Sequence, residues 1–204
     1  MSRVLLLFAV VLLGSCAVQY KPVVPASMNF QNRFAADDKV AVSYIYDVQG
    51  ITTNKRYARR EREHGFAAVA LQVKNISAEP VTITRSNFKV LVHGNEKEYV
   101  TPEQYTAKVK QLAGLHLLHA LWGPWAYQYE ETPAGTSSRF RYIPIGATIG
   151  LINLIIAATA NGKHLETLKQ NEIFGKTIAP GEQLHGIVLI ANTTYEPLTF
   201  RLVE

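Results

Sequence analysis

Two histidines three positions apart, His116 and His119, are the residues in this 204-residue chain whose type and spacing most suggest a metal. On one helix face they would offer two imidazoles to one ion. No carboxylate or third imidazole stands at a spacing that completes the set, and the His-Glu-x-x-His pattern of zinc proteases is absent. The pair suits an interface or lipid headgroups better, and no metal or other cofactor is expected. Glu130 and Glu131 are adjacent, whereas a hydrolase needs two carboxylates across a cleft. They read as loop charges that end an apolar stretch. Ser137 and Ser138 lack the context of a nucleophile elbow. The densest charged run is residues 55–64, Lys-Arg-Tyr-Ala-Arg-Arg-Glu-Arg-Glu-His. Its Lys55, Arg56, Arg59, Arg60 and Arg62 could meet headgroup phosphates or cell-wall carboxylates. The plainer alternative is a solvated loop or helical turn in which Glu61 and Glu63 balance the cations. No catalytic residue emerges, and a non-enzymatic protein is the expectation.

Composition narrows the classes further. At 48% hydrophobic and 18% charged the chain is no disordered tail. A formal charge of +5 falls far short of a nucleic-acid-binding arm, so no nucleic-acid partner is expected. A single cysteine excludes an intrachain disulfide and a cysteine-rich zinc site.

That cysteine has a suggestive position. Residues 1–16 read MSRVLLLFAVVLLGSC: one cation, Arg3, an apolar run over 4–13, two small residues, then Cys16. This is the layout of a secretory signal and is too short for an ordinary spanning helix. Leu13-Gly14-Ser15-Cys16 resembles the lipobox of bacterial lipoproteins. The resemblance implies cleavage before Cys16, a diacylglycerol thioether on its sulfur and an acyl chain such as palmitate on its amino group. Each buried CH₂ would contribute roughly 0.8 kcal/mol to anchoring. By the sorting rule that this resemblance brings with it, Ala17 rather than Asp implies the periplasmic face of the outer membrane instead of the inner membrane. Residues 17–36 carry Pro22 and Pro25 without sustained periodicity and read as a tether. The expected division is therefore a signal peptide over 1–15, a lipidated cysteine and tether over 16–36, and a folded body over 37–204.

Alternation marks strands in that body. Val40, Val42, Tyr44 and Tyr46 share one face, as do Ala67, Val69, Leu71 and Val73. Val81 with Ile83, Phe88 with Val90 and Val92, and Leu198 with Phe200 and Leu202 follow the same rule. His93-Gly94-Asn95 suits a hairpin turn with positive φ, and Ala179-Pro180-Gly181 a second turn. Asn75-Ile76-Ser77 reads as a turn rather than a glycosylation acceptor. Residues 184–191 are almost wholly apolar and predict a central strand covered on both faces. The fold class read from this pattern is mainly β: an antiparallel sandwich with an apolar helical hairpin inserted over 101–178. The runs VALQVKNISAEPVTI, TIAPGEQLHGIVLI and PLTFRLVE resemble the Ig-like domains of small bacterial exported proteins. That resemblance implies a fold and no activity.

The insertion departs from the strand pattern. Thr101-Pro102-Glu103-Gln104 is a helix start, and Tyr105, Val109, Leu112 and His116 continue it at helical spacing to Gly123-Pro124. A second apolar segment runs over 142–162, with Gly146 and Gly150 spaced for close helix approach and Ala157 and Ala160 beyond. Residues 163–174 would add an amphipathic turn or two. Trp122, Trp125, Tyr127 and Tyr129 form an aromatic group suited to a membrane–water boundary. Three roles stay open for the hairpin: a cover packed on the sandwich, a segment dipping into the membrane, or a surface for an envelope protein partner or a second copy. The functional expectation is a membrane-anchored envelope lipoprotein with a structural, assembly or adaptor role. The alternative is a module binding phospholipid or another apolar ligand in a cleft between hairpin and sheet.

Overall fold

The computed structural model describes residues 16–30, 34–118, 126–130, 139–143, 145–192 and 194–203. Side chains are described for these except within 34–36, 126–130 and 139–143. The leader, the lipobox residues before Cys16, His119, Trp122, Trp125, Glu131, Ser137 and Ser138 lie outside the described residues, as do the side chains of Tyr127, Tyr129 and Glu130. The chain divides into two compact units. One comprises Tyr20–Lys110 with Gly162–Glu204, the other Gln111–Asn161 with the residues before Tyr20.

The larger unit contains two antiparallel sheets packed sandwich-like. Strands β1 (Phe34–Ala36), β2 (Val40–Ile45), β3 (Phe66–Asn75) and β10 (Gln183–Ala191) form the first, in the order β1-β2-β3-β10. Strands β5 (Phe88–Val92), β6 (Asn95–Glu96) and β11 (Leu198–Leu202) form the second, in the order β11-β5-β6. A separate short pair, β4 (Val81–Ile83) with β9 (Lys176–Ile178), contributes Val81, Ile83 and Ile178 to the same core. Alternation puts Val40, Val42, Tyr44, Val69, Leu71 and Val73 from one sheet and Phe88, Val90, Val92, Leu198 and Phe200 from the other into one core. Phe200 links the two sheets, 5.6 Å from the Tyr44 ring and 5.5 Å from that of Phe88.

The turns are those the sequence predicts. His93 (φ 50°) and Gly94 (φ 80°) close β5 onto β6, with Val92 opposite Asn95. Gly181 (φ 77°) turns the chain into β10. Asn75 is fully buried. Its amide donates to the Glu79 and Ile178 carbonyls and its oxygen accepts from Ser77 N–H and Oγ.

Helices are a larger part of the architecture than a mainly β reading allows. Helices α1 (Val48–Ile51) and α2 (Lys55–Glu63) and the 3₁₀ turn Pro25–Ser27 pack on the second face of the first sheet. This explains why Ala68, Ala70, Ile187 and Leu189 are buried on the face away from the sandwich core. It also corrects one expectation: β10 owes its unbroken apolar run to cover on both faces, and it ends the sheet rather than lying at its centre. Isolated bridges from Glu172 to Ile187 and from Tyr99 to Ile190 close its outer edge.

Among the described residues the first arm of the expected helical hairpin is not one continuous helix. Helix α3 starts where predicted, with Thr101 and Gln104 making a full capping box, but it spans only Pro102–Val109. A 3₁₀ segment, Ala113–Leu117, replaces its continuation. Strands β7 (Ala126–Glu130) and β8 (Arg139–Ile143) pair antiparallel between the two expected helical segments, overlapping the second of them only at 142–143. Tyr142 and Ile143 thus belong to a strand, and helix α4 begins at Ile145. It runs unbroken to Asn171, absorbing the separate amphipathic segment read from 163 onward.

Candidate functional site

The smaller unit is organised around the first part of α4. Gly146, Gly150, Asn153, Ala157 and Ala160 are buried. Their spacings of four, three, four and three residues put them on one stripe of the helix. Ile149, Leu151, Ile152 and Ile155 point the other way, with exposures of 38%, 55%, 52% and 56%. A helix on a water-soluble protein normally turns its large apolar residues inward. Here the small and polar side chains are covered and the bulky ones are open. Leu112, Leu115, Leu117 and Leu118, around the 3₁₀ segment, are exposed as well.

Three side-chain amides tie this unit together. Asn161 grips the backbone of Gln111 at both polar groups: Gln111 N–H donates to Asn161 Oδ1 at 2.8 Å, and Asn161 Nδ2 donates to the Gln111 carbonyl at 2.9 Å. The chain enters and leaves the insertion at these two residues, so its neck is closed. The Gln111 side chain in turn grips Val18, accepting from its N–H at 3.1 Å and donating to its carbonyl at 2.6 Å. Asn153, on the covered stripe of α4, accepts the Ala17 N–H at 3.0 Å. The residue following Cys16 is therefore bonded to the first third of the long helix, and Cys16 itself is exposed.

The segment expected to be a tether is laid down on protein rather than standing clear. Tyr20, Val23, Pro25 and Phe30 are buried in the larger unit, and the Lys21 backbone exchanges two hydrogen bonds with the Asn54 side chain.

The remaining expected residues are not drawn into one site. His116 is buried on the 3₁₀ segment. Among the described residues no group of three or more His, Cys, Asp or Glu could hold a metal. Tyr127 and Glu130 are on β7. Gly146 and Gly150 lie on the covered stripe, so they are not themselves a contact surface. Lys55, Arg56, Arg59, Arg60 and Arg62 are on α2, where Lys55, Arg59 and Arg62 are exposed and Arg56 and Arg60 half-buried. Arg59 pairs with Glu63 at 2.7 Å, holding that carboxyl below its ordinary range, and Arg62 lies 3.8 Å from Asp47.

Glu61 does not balance this charge outside; it points inward. It is fully buried and accepts the Ala68 N–H with Oε1. Burial pushes its carboxyl up to about 8, against the pull of that N–H. The Tyr105 hydroxyl lies beside this carboxyl and offsets part of that rise. Nearby, His164 of α4 is enclosed by Tyr57, Tyr20 and Tyr105, with ring centroids at 4.3, 4.8 and 5.7 Å. Its Nε2 meets the Gln49 amide at 3.2 Å, and burial drives it down to about 3, so it stays neutral. Helical spacing carried a signal for Glu61: it follows Tyr57 by four and Ala58 by three, both inward-facing. The cluster is closed off from solvent. A cleft of about 670 Å³ in the same unit lies elsewhere, among Pro22, Tyr44, Tyr46, Asp47, Ile51 and Tyr195.

No protein-family model, curated protein or solved structure matches this chain.

Proposed function

We propose that this chain is a bacterial envelope lipoprotein, anchored through lipid on Cys16, with a non-enzymatic structural, assembly or adaptor role at the membrane. The observation that carries the reading is the inverted first half of α4, with Ile and Leu open and Gly, Ala and Asn covered, in the same unit as residues 16–18. Water disfavours such a surface by about 25 cal/mol per Å² of apolar area, and a membrane removes that cost. The lipobox resemblance supplies the anchor, and Ala17 favours the periplasmic face of the outer membrane. Lys55, Arg56 and the exposed arginines of α2 suit anionic headgroups. The two packed sheets are compatible with an Ig-like sandwich, which would serve as a carrier for these surfaces. The closed Glu61–His164 cluster, sealed by aromatic rings, favours a packing role over catalysis.

A second reading has its own support. The cleft lined by Tyr44, Tyr46, Ile51 and Tyr195 suits an apolar or aromatic ligand. It lies within the sandwich unit, not between hairpin and sheet.

Labelling cells with a palmitate analogue separates anchored from unanchored forms. The wild-type chain should incorporate label and sediment with outer membranes, while Cys16→Ala should lose the label and retain its leader. Mass spectrometry finding an unmodified Cys16 thiol on the processed chain would overturn the proposal.

A further inference from the structure

We infer that the open face of α4 is a membrane-insertion surface that enters one leaflet of a phospholipid bilayer without spanning it. The inference deepens the lipoprotein reading and rests on it for the origin of the bilayer.

The exposed side of α4 changes character along its length. From 148 to 159 its outward residues are Thr148, Ile149, Leu151, Ile152, Ile155, Ala158 and Thr159, with no charge. From 162 onward they are Gly162, Lys163, Glu166, Lys169 and Gln170. The charge-free part of α4, residues 145–162, measures about 27 Å at ~1.5 Å per residue, close to the ~30 Å hydrocarbon core. Only one side of this stretch is open, because Gly146, Gly150, Asn153, Ala157 and Ala160 are covered. The helix is long and apolar enough to cross a membrane, but a span would face lipid all round, and here one side is covered by protein. A helix with one apolar side and a charged continuation suits the acyl–headgroup boundary instead.

Two observations select lipid as the occupant over a protein. The first is position: Ala17 is hydrogen-bonded to Asn153 and Val18 to Gln111, so acyl chains on Cys16 emerge from the unit that bears the apolar face. The second is charge. Between residues 111 and 161 the only Asp, Glu, Lys or Arg are Glu130, Glu131, Arg139 and Arg141, and all others in the processed chain lie in the larger unit. A protein interface usually surrounds its apolar centre with a polar rim, whereas the 112–118 and 145–160 segments contain no Asp, Glu, Lys or Arg.

The test uses the full processed protein, purified from membranes and reconstituted into phosphatidylethanolamine vesicles with a minor share of phosphatidylglycerol. Nitroxides placed through Ile152→Cys, Ile155→Cys and, as reference, Glu166→Cys are probed with oxygen and with a water-soluble nickel chelate. Labels at 152 and 155 should favour oxygen, and the label at 166 the chelate. In parallel, the processed chain made without lipid should still float with these vesicles, and Ile152→Ser with Ile155→Ser should lower its partition on the order of tenfold for each side chain. Chelate access at 152 equal to that at 166 would sink the inference, as would exclusion of both reagents with the protein running as a dimer, which would assign the face to a second copy. Mass spectrometry of Cys16 on the same sample keeps the two ideas apart. A missing lipid counts against the lipoprotein reading, and vesicle binding by the unlipidated chain then decides the insertion surface by itself.

Discussion

Glu61 and His164 are neutral for the same reason, burial, yet they bend stability with pH in opposite directions. Glu61 rises from an ordinary 4.5 to about 8 in the folded chain, so between these values the folded state holds a proton that the unfolded state has released. Its contribution is fully present below pH 4.5 and is lost as pH climbs through about 8. His164 falls from 6.5 to about 3, so the unfolded state binds the extra proton. Its contribution is present above pH 6.5 and is lost as pH falls toward 3. The two slopes oppose each other between 4.5 and 6.5, and Glu61 alone acts between 6.5 and 8. Glu61→Gln, which keeps the shape and the acceptor for Ala68 N–H, should therefore abolish the fall in stability between pH 6.5 and 8. Urea unfolding at the two pH values measures it. An undiminished slope in the variant would show that another group carries it.

At the scale of elements, β10 and the end of α4 meet closely at Gly186, where an added Cβ would be tighter than ordinary van der Waals contact. A Cβ on Gly186 would lie 3.0 Å from the Asn171 carbonyl oxygen and 3.0 Å from Ile173 Cβ. Both obstacles are fixed, one being backbone and the other the root of a fully buried side chain. Gly186→Ala should therefore push the strand off the helix end and cost roughly 1–3 kcal/mol. Thermal unfolding should show a fall of about 2–4 °C per kcal/mol. An unchanged midpoint would mean that the contact yields without resistance. The same junction bears on β10's edge, because the Glu172 bridge to Ile187 covers it and an uncovered strand edge invites pairing with another chain.

For the whole molecule, the neck at Gln111 and Asn161 makes a separable insertion. Two hydrogen bonds hold these residues together, so residues 112–160 can be replaced by a short Gly/Ser linker without stretching the chain. The sandwich, with its own core and its own Glu61–His164 cluster, should keep a cooperative unfolding transition and its near-ultraviolet circular dichroism. The same deletion should remove membrane insertion while leaving lipidation of Cys16 intact. Loss of the cooperative transition would mean that the insertion is core, in line with the covering-layer alternative.

Interactions between near neighbours in the chain are legible in the amino-acid sequence. Period-two alternation identifies the inward faces of β2, β3, β5 and β11, since pleating sends successive side chains to opposite sides. His93-Gly94 and Pro180-Gly181 mark turns because few residues tolerate positive φ, and Thr101 with Gln104 marks a helix start because both capping groups lie within four residues. Long-range partners decide the rest. The apolar spacing of 105, 109, 112 and 116 continues a helix on paper, but the Asn161 amide, fifty positions away, takes the Gln111 backbone and the chain turns into a 3₁₀ segment. Periodicity places Gly146 and Gly150 on one stripe without revealing that this stripe is the covered one. Which side of α4 is open depends on side-chain amides meeting across the fold, and pairings of that kind leave no local pattern in the sequence.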